Sequence, residues 1–154
     1  LKTEEDVVWK HIIDSLMAVR FIPQGAKVLD VGTGAGFPAL PLAIVRPDIT
    51  VTAIDATQKK IRYIDETCKK LSVNNVMPES VRIEEEATAK EKKGTRSYRE
   101  SFDIVISRAV ARLNVLDELT LPCCRIGGAV IAMKGEGGSE EKNEEAPAQQ
   151  PLRF

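Results

Sequence analysis

The chain has 154 residues, enough for one domain with a full core and short of two. With 43% hydrophobic and 29% charged residues it falls outside the wholly disordered, collagen-like and fibrous classes. A net charge of −1 argues against a protein held to nucleic acid by bulk positive charge, but the average hides a division: Gly135 to Phe154 carries five Glu against one Lys and one Arg, which leaves residues 1–134 at a net +2.

Three cysteines (Cys68, Cys123, Cys124) and a single histidine (His11) give neither a disulfide framework nor zinc spacing, so a reducing compartment and no metal are expected. The most apolar stretch, Ala35 to Val45, is interrupted by two prolines and falls far short of the roughly 20 residues that span a bilayer. No charged-then-apolar leader is visible behind Leu1, which points to a chain that begins inside a longer protein.

Glu4 to Arg20 sets Val8, Ile12, Leu16 and Val19 at helical spacing and predicts an amphipathic helix laid on a larger body, ending before Pro23-Gln24-Gly25. Ala26 to Val31 reads as a strand running into a glycine-rich turn, and Pro38 to Arg46 as a helix stopped by Pro47. Thr50 to Asp55 is a second strand, and Thr57 to Leu71 a helix with Ile61, Ile64, Cys68 and Leu71 on one face. Ser80 to Glu84 is predicted as a third strand, Phe102 to Ser107 as a fourth, Arg112 to Cys123 as a helix, and Ala129 to Lys134 as a fifth strand behind a Gly127-Gly128 turn. This alternation predicts an α/β fold with a mostly parallel sheet covered on both faces. Glu84 to Glu100 is a charged connection in which Lys92, Lys93, Arg96 and Arg99 are either solvated or placed to meet RNA phosphates. The acidic tail, residues 135–154, is expected to be disordered because it has too little apolar surface to offset its ordering entropy.

The informative segment is Asp30-Val-Gly-Thr-Gly-Ala-Gly-Phe-Pro38, where the first strand turns into the first crossover helix. Gly32, Gly34 and Gly36 allow a sharp turn that a ligand can approach closely. The dinucleotide pattern G-x-G-x-x-G fails, because counting from Gly32 puts Phe37 at its last glycine. An acidic Asp30 beside an open turn suits the ammonium and sulfonium of S-adenosylmethionine better than a pyrophosphate. Asp55, ending the second strand, is placed to accept ribose hydroxyls and alternatively to cap the helix near Thr57; Asp30 is alternatively a buried acceptor for turn amides.

With these motifs the sequence resembles the bacterial 16S ribosomal RNA guanine-N7 methyltransferase G family, also called glucose-inhibited division protein B. The resemblance runs in order through His11-Ile-Ile-Asp14-Ser15-Leu16, Asp30 to Pro38, Tyr98-Arg-Glu-Ser-Phe-Asp103, Ser107-Arg108-Ala109-Val110-Ala111, Leu121-Pro122, Gly127-Gly128 and Met133-Lys134-Gly135. It implies a Rossmann-like class I methyltransferase sheet and S-adenosyl-L-methionine as cofactor. Gly32 and Phe37 would contact that cofactor, Asp55, Ala56 and Thr57 its ribose and adenine side, Ala87 and Thr88 the adenine, and Arg108 its methionine end or the incoming base. The family usually reads Arg-Ala-Glu where this chain has Glu86-Ala87-Thr88, and its closing hairpin has no counterpart strand pattern in residues 135–154. The chain is therefore read either as truncated or as having lost its closing strands.

Guanine N7 already exposes a lone pair, so methyl transfer to it needs alignment rather than a base. Ser107-Arg108-Ala109-Val110 stands where amine methyltransferases place Asn/Asp-Pro-Pro-aromatic, which disfavours that class. Pro122-Cys123 superficially offers a cytosine-C5 nucleophile, but at a helix end Cys123 and Cys124 read as packing residues. Arg108, at a strand's carboxyl end, is the candidate catalytic residue, with an ion pair to Asp103 or Glu118 as the structural alternative. His11 reads as a helix-surface or core residue, Asp14 and Ser15 as seating the first helix over the pocket, and Lys134 as an RNA-phosphate contact or a sheet cap.

The expected organisation is an N-terminal helix over residues 1–25, a cofactor-binding domain over 26–134 and a tail over 135–154. The expected function is methylation of guanine N7 in small-subunit ribosomal RNA by a monomer. Its partner would be that RNA or the assembled subunit, in the cytoplasm or in an organelle. The alternative is a non-catalytic remnant or RNA-binding accessory protein that keeps the cofactor fold. A nicotinamide-dependent reductase requires the failed glycine spacing to be ignored.

Overall fold

The computed structural model describes residues 3–88, 98–108 and 118–133, except for the side chains of 6–8 and 86–88. Among the described residues five strands form one sheet in the order β3-β2-β1-β4-β5: β1 (Lys27–Val31), β2 (Thr50–Asp55), β3 (Val76–Ser80), β4 (Phe102–Arg108) and β5 (Cys124–Met133). Every pairing is parallel. The connections carry α3 (Ala39–Val45), α4 (Gln58–Leu71) and α5 (Ile83–Thr88), while α1 (Glu4–Val7) and α2 (Asp14–Leu16) lie ahead of the sheet. The predicted α/β alternation with a parallel sheet is what forms.

The core follows from strand composition. β1 and β2 are buried on both faces over Val28–Val31 and Val51–Asp55, as central parallel strands require. One face packs Val28, Val51, Ala53, Ile104 and Ile106 against Leu42, Ile61 and Ile64 of α3 and α4. The other gathers Leu29, Val31, Ile54 and Val105 with Ile83, Tyr98, Phe102 and Cys123.

Several predicted boundaries move. The third strand is Val76–Ser80, not Ser80 to Glu84. Its Pro78 and Glu79 obscure the pattern, and a proline is tolerated there because β3 pairs only with β2 and stands at the sheet edge. Ile83, expected in that strand, begins α5 instead. The fifth strand starts at Cys124, so Gly127 and Gly128 lie within it, beside a register irregularity in which Phe102 pairs with Cys124 but Ile104 with Ala129. A Cβ on Gly128 would lie 2.5 Å from the Asp103 carbonyl oxygen and 2.7 Å from Cys124 Sγ, so the irregular pairing there needs a residue without a side chain.

The predicted N-terminal helix is not one continuous α-helix. A π-helical segment, Val8–Ile13, separates α1 from α2, and a 3₁₀ turn follows at Val19–Phe21. On α4 Ile61, Ile64 and Cys68 are buried as expected, but Leu71 is 57% exposed because the helix ends there, at a left-handed Ser72. Cys123 is fully buried among apolar side chains, in keeping with its reading as a packing residue. The 112–117 part of the predicted Arg112 to Cys123 helix and the tail 135–154 lie outside the described residues, as do Arg96 and Lys134.

Candidate active site

β1 sits at the centre of the strand order, with β2 on one side and β4 on the other, so the chain's crossovers leave in opposite directions from its carboxyl end. That is the crevice where open α/β sheets take their ligands. Register brings the relevant residues level: Val31 pairs with Ile54 and with Ser107, and Asp55 with Ser80. Asp30, the glycine turn, Asp55 and Arg108 therefore converge on one sheet edge, and the Ser107 hydroxyl, donating to the Val31 carbonyl at 3.2 Å, ties β4 to β1 there.

The turn is held by its own amides. Gly32 N–H and Thr33 N–H both donate to the Ile54 carbonyl at 2.9 Å, and Gly36 N–H and Phe37 N–H to the Thr33 carbonyl. Gly34 N–H donates to Asp55 Oδ2 at 3.1 Å. Gly34 and Gly36 both have positive φ, +60° and +94°, but for different ends. Among the described residues a Cβ on Gly34 would have only the Gly32 carbonyl near it, at 3.9 Å, so they leave the space above Gly34 open. A Cβ on Gly36 would sit 2.5 Å from Leu40 Cδ1, so Gly36 serves the packing of α3.

Asp30 is fully buried, and its Oδ2 accepts the Ala39 N–H at 3.1 Å at the start of α3. This is the acceptor role named as its alternative. Among the described residues its Oδ1 has no hydrogen-bond partner, and neither does the buried Thr33 hydroxyl, although that hydroxyl is close enough to favour the ionised carboxyl. Burial pushes the Asp30 carboxyl up to about 7, against the opposing pull of Thr33, the Ala39 amide and Arg108. A buried acid with one oxygen unmet among the described residues is what a cationic ligand group would complete.

Asp55 has three partners: Oδ1 accepts the Thr57 N–H at 2.8 Å, and Oδ2 accepts Gly34 N–H and the Lys60 ammonium, the latter at 3.2 Å. Burial is the largest single influence and opposes its ionisation, but the Thr57 amide, Lys60, the Thr57 hydroxyl and the Gly34 amide together hold it below the usual carboxylate range. The helix N-cap is Thr57 rather than Asp55. Lys60 is half exposed, so it can yield its place on Oδ2 to a ribose hydroxyl without disturbing the two backbone bonds. Lys60 was not singled out from sequence, although its place one turn into the helix after Asp55 was a signal for it.

Arg108 ends β4 with only 14% of its side chain exposed. Its ion pair is with Asp14, at 3.8 Å, and not with Asp103. Asp103 instead binds Arg125 and accepts the Lys27 N–H at 2.7 Å. The Tyr98 to Asp103 motif is thus structural here: Tyr98 is buried, donates to Glu79 and stacks on Phe102. Ala56 and Thr57 are exposed beside Asp55. The backbone of Ala87 and Thr88 belongs to α5, and their side chains lie outside the description. Sequence reasoning undervalued His11, whose ring stacks on Phe37 and contacts Arg108; the i, i+3 placement of His11 and Asp14 was the available signal.

A cavity of about 510 Å³, lined by Pro47, Leu71 and Asn75 among others, lies toward the amino ends of the strands, away from these residues. Among the described residues no helix is long and apolar enough to cross a membrane.

Comparison with solved structures matches coclaurine N-methyltransferase bound to N-methylheliamine and SAH, with a TM-score of 0.63 and 21% identity over 78% of this chain and 34% of that one. A SAM-dependent methyltransferase from Aquifex aeolicus matches with a TM-score of 0.57 and 23% identity over 79% of this chain and 63% of that one. At these identities the likeness establishes the fold. Curated relatives are much closer in sequence. Ribosomal RNA small subunit methyltransferase G of Deinococcus radiodurans is 48% identical over 143 residues, covering 92% of this chain and 54% of the relative. The protein of the same name from Desulforamulus reducens is 43% identical, covering 94% and 58%. This chain thus spans little more than half the length of these relatives. The family model for GidB, rRNA small subunit methyltransferase G, matches residues 1–152, and the chain belongs to that family.

Proposed function

We propose that this chain forms the cofactor-binding core of an S-adenosylmethionine-dependent methyltransferase that modifies guanine N7 in small-subunit ribosomal RNA, as a monomer in the cytoplasm. The observation that carries the reading is the space left open above Gly34 among the described residues, beside the Asp55 carboxylate that accepts the Gly34 N–H, with the buried Asp30 carboxyl just ahead of the same turn. The donor set fits the cofactor. Asp55 would take the ribose hydroxyls, Ala56 and Thr57 would flank the adenine side with Ala87 and Thr88, and Gly32, Gly36 and Phe37 would shape the turn. Asp30 would balance the ammonium, its carboxyl ionising as that charge arrives.

When bound, S-adenosylmethionine supplies an electrophilic methyl group on a sulfonium. Guanine N7 presents its lone pair in the ground state, so none of these residues has to remove a proton from the nucleophile. Catalysis by this chain is then positioning in a water-poor crevice, with Arg108 as the group that meets the methionine carboxylate or an acceptor edge of guanine. Its planar fork of donors suits either, which a lysine could not reproduce. Arg96 and Lys134 are proposed as phosphate contacts on the RNA.

The test is calorimetric titration with S-adenosylmethionine and S-adenosylhomocysteine, followed by methyl incorporation into small-subunit RNA that lacks the modification and mapping of the methylated position. Micromolar binding and a single N7-methylguanine are expected. Absence of heat with both ligands would overturn the cofactor assignment, and a methyl group at another atom would overturn the guanine N7 assignment.

A further inference from the structure

Phe37, where the glycine turn runs into α3, is flanked by groups from the two ends of the described chain. The His11 ring stacks on it, with centroids 5.1 Å apart and planes at 29°. The Arg108 guanidinium carbon lies 5.8 Å from the same ring's centroid. Arg108 and His11 also touch directly, through Nη2 and Nδ1. Arg108 Nη1 donates to the Lys10 carbonyl at 3.3 Å, and the guanidinium faces the Asp14 carboxylate. The Ser15 hydroxyl donates back to the His11 carbonyl and holds this turn of the helical segment together.

The chemistry of the contact fixes the state of the imidazole. A guanidinium has five donors and no acceptor, so Nδ1 must offer a lone pair and the ring proton must reside on Nε2. A protonated ring would set N–H against N–H and positive charge against positive charge.

We propose that His11 is a positioning residue for the cofactor site: together with the Lys10 carbonyl and Asp14 it holds the Arg108 guanidinium beside Phe37 at the rim of the glycine turn. The role rests on the cofactor reading above. Arg108 leaves the sheet from the last residue of β4, so without the helical segment the Phe37 face, 5.8 Å from the guanidinium carbon, offers no hydrogen bond to fix its direction, and the entropy of ordering it would fall on ligand binding. Protonating His11 should free Arg108 and weaken ligand binding. Burial and then Arg108 hold the imidazole below its ordinary value, with Lys10 acting the same way and Asp14 against them. From the turn and the sheet the neighbouring groups are the uncharged Phe37, Arg108 itself and, behind it, Asp30, whose charge interacts with Arg108.

Because the chain has one histidine, its ring resonances report on His11 alone. Proton NMR of the wild type should give a midpoint below the free-imidazole value that rises in Arg108→Ala; a midpoint indifferent to Arg108→Ala overturns the contact. Calorimetry with S-adenosylhomocysteine at pH 7.5 should show His11→Ala binding roughly tenfold more weakly, about the worth of one well-made hydrogen bond. His11→Asn, whose carbonyl oxygen can take the place of Nδ1, should recover most of that loss, which a general packing defect would not allow. Between pH 7.5 and 5.5 the wild type should lose more affinity than His11→Asn; Asp30 titrates in both proteins, so the difference belongs to His11. Equal affinity of wild type and His11→Ala overturns the positioning role while leaving the cofactor reading intact. No binding by the wild type overturns both. Should His11→Ala fail to fold by circular dichroism, the NMR midpoints and the His11→Asn profile decide.

Discussion

The Gly34 amide donates to Asp55 Oδ2 at 3.1 Å across 21 residues of sequence, so the turn after the first strand is fastened to the acid that ends the second. The carboxylate is part of the scaffold before any ligand arrives. Asp55→Ala should therefore have two effects: cofactor affinity falls by at least about tenfold, and the fold loses roughly 1–3 kcal/mol from the unmet Gly34 and Thr57 amides. Urea melts beside calorimetry would separate the two. The wild type's folded Asp55 lies below the usual carboxylate range, so its stabilising contribution is present above that range and lost as pH falls through the folded value; the variant's acid limb should be correspondingly shallower.

The two positive-φ glycines give opposite readouts. Gly34→Ala places a methyl group in open space and should fold with a left-handed backbone cost of about 1–2 kcal/mol, but lose binding of S-adenosylhomocysteine. Gly36→Ala drives its Cβ into Leu40 and should cost about 2–4 kcal/mol in thermal or urea unfolding. A Gly34→Ala protein that bound the ligand normally would show that the open space is not the site.

Asp30 makes the ligand-free fold sensitive to alkali. Its folded value of about 7 stands above the ordinary 3.8, so the native state binds this proton more tightly than the unfolded chain does. The stability contributed by Asp30 should be fully present below about pH 4, decline toward pH 7 and level off above it, by about 4 kcal/mol at most. Asp30→Asn can still offer an oxygen to the Ala39 amide, and it should flatten this slope and melt higher at pH 8, while binding S-adenosylmethionine more weakly. In the wild type near pH 7, binding should release a fraction of a proton, visible as a dependence of the calorimetric heat on the buffer's ionisation enthalpy.

Gly128→Ala tests the irregular pairing of β5 with the start of β4. The added Cβ would lie 2.5 Å from the Asp103 carbonyl oxygen, which belongs to backbone and cannot swing aside. A loss of about 2–4 kcal/mol is expected, with the binding constant of whatever remains folded unchanged because the site is at the other end of β4.

How far the sequence speaks for itself varies along the chain. Central strands are legible because burial on both faces demands runs such as Val28-Leu29 and Thr50 to Asp55 that hardly anything else explains. The sequence misplaces β3 because an edge strand can carry Pro78 and Glu79, and starts β5 too late because Gly127-Gly128 reads as a turn when the neighbouring strand is out of view. The first helix was read as regular because spacing alone does not reveal a π-helical segment.

The sequence by itself determined the alternation of strands and helices, the glycine turn and the acids beside it, because each depends on local backbone geometry and on charge next to it in the chain. Tertiary structure alone decided the partners. Register set Asp55 against Gly34, burial raised Asp30, and folding of the N-terminal segment onto the sheet edge gave Arg108 to His11 and Asp14 rather than Asp103. Hydrogen bonds and desolvation depend on distances in space, and residues 97 apart in sequence become neighbours only once the sheet has formed.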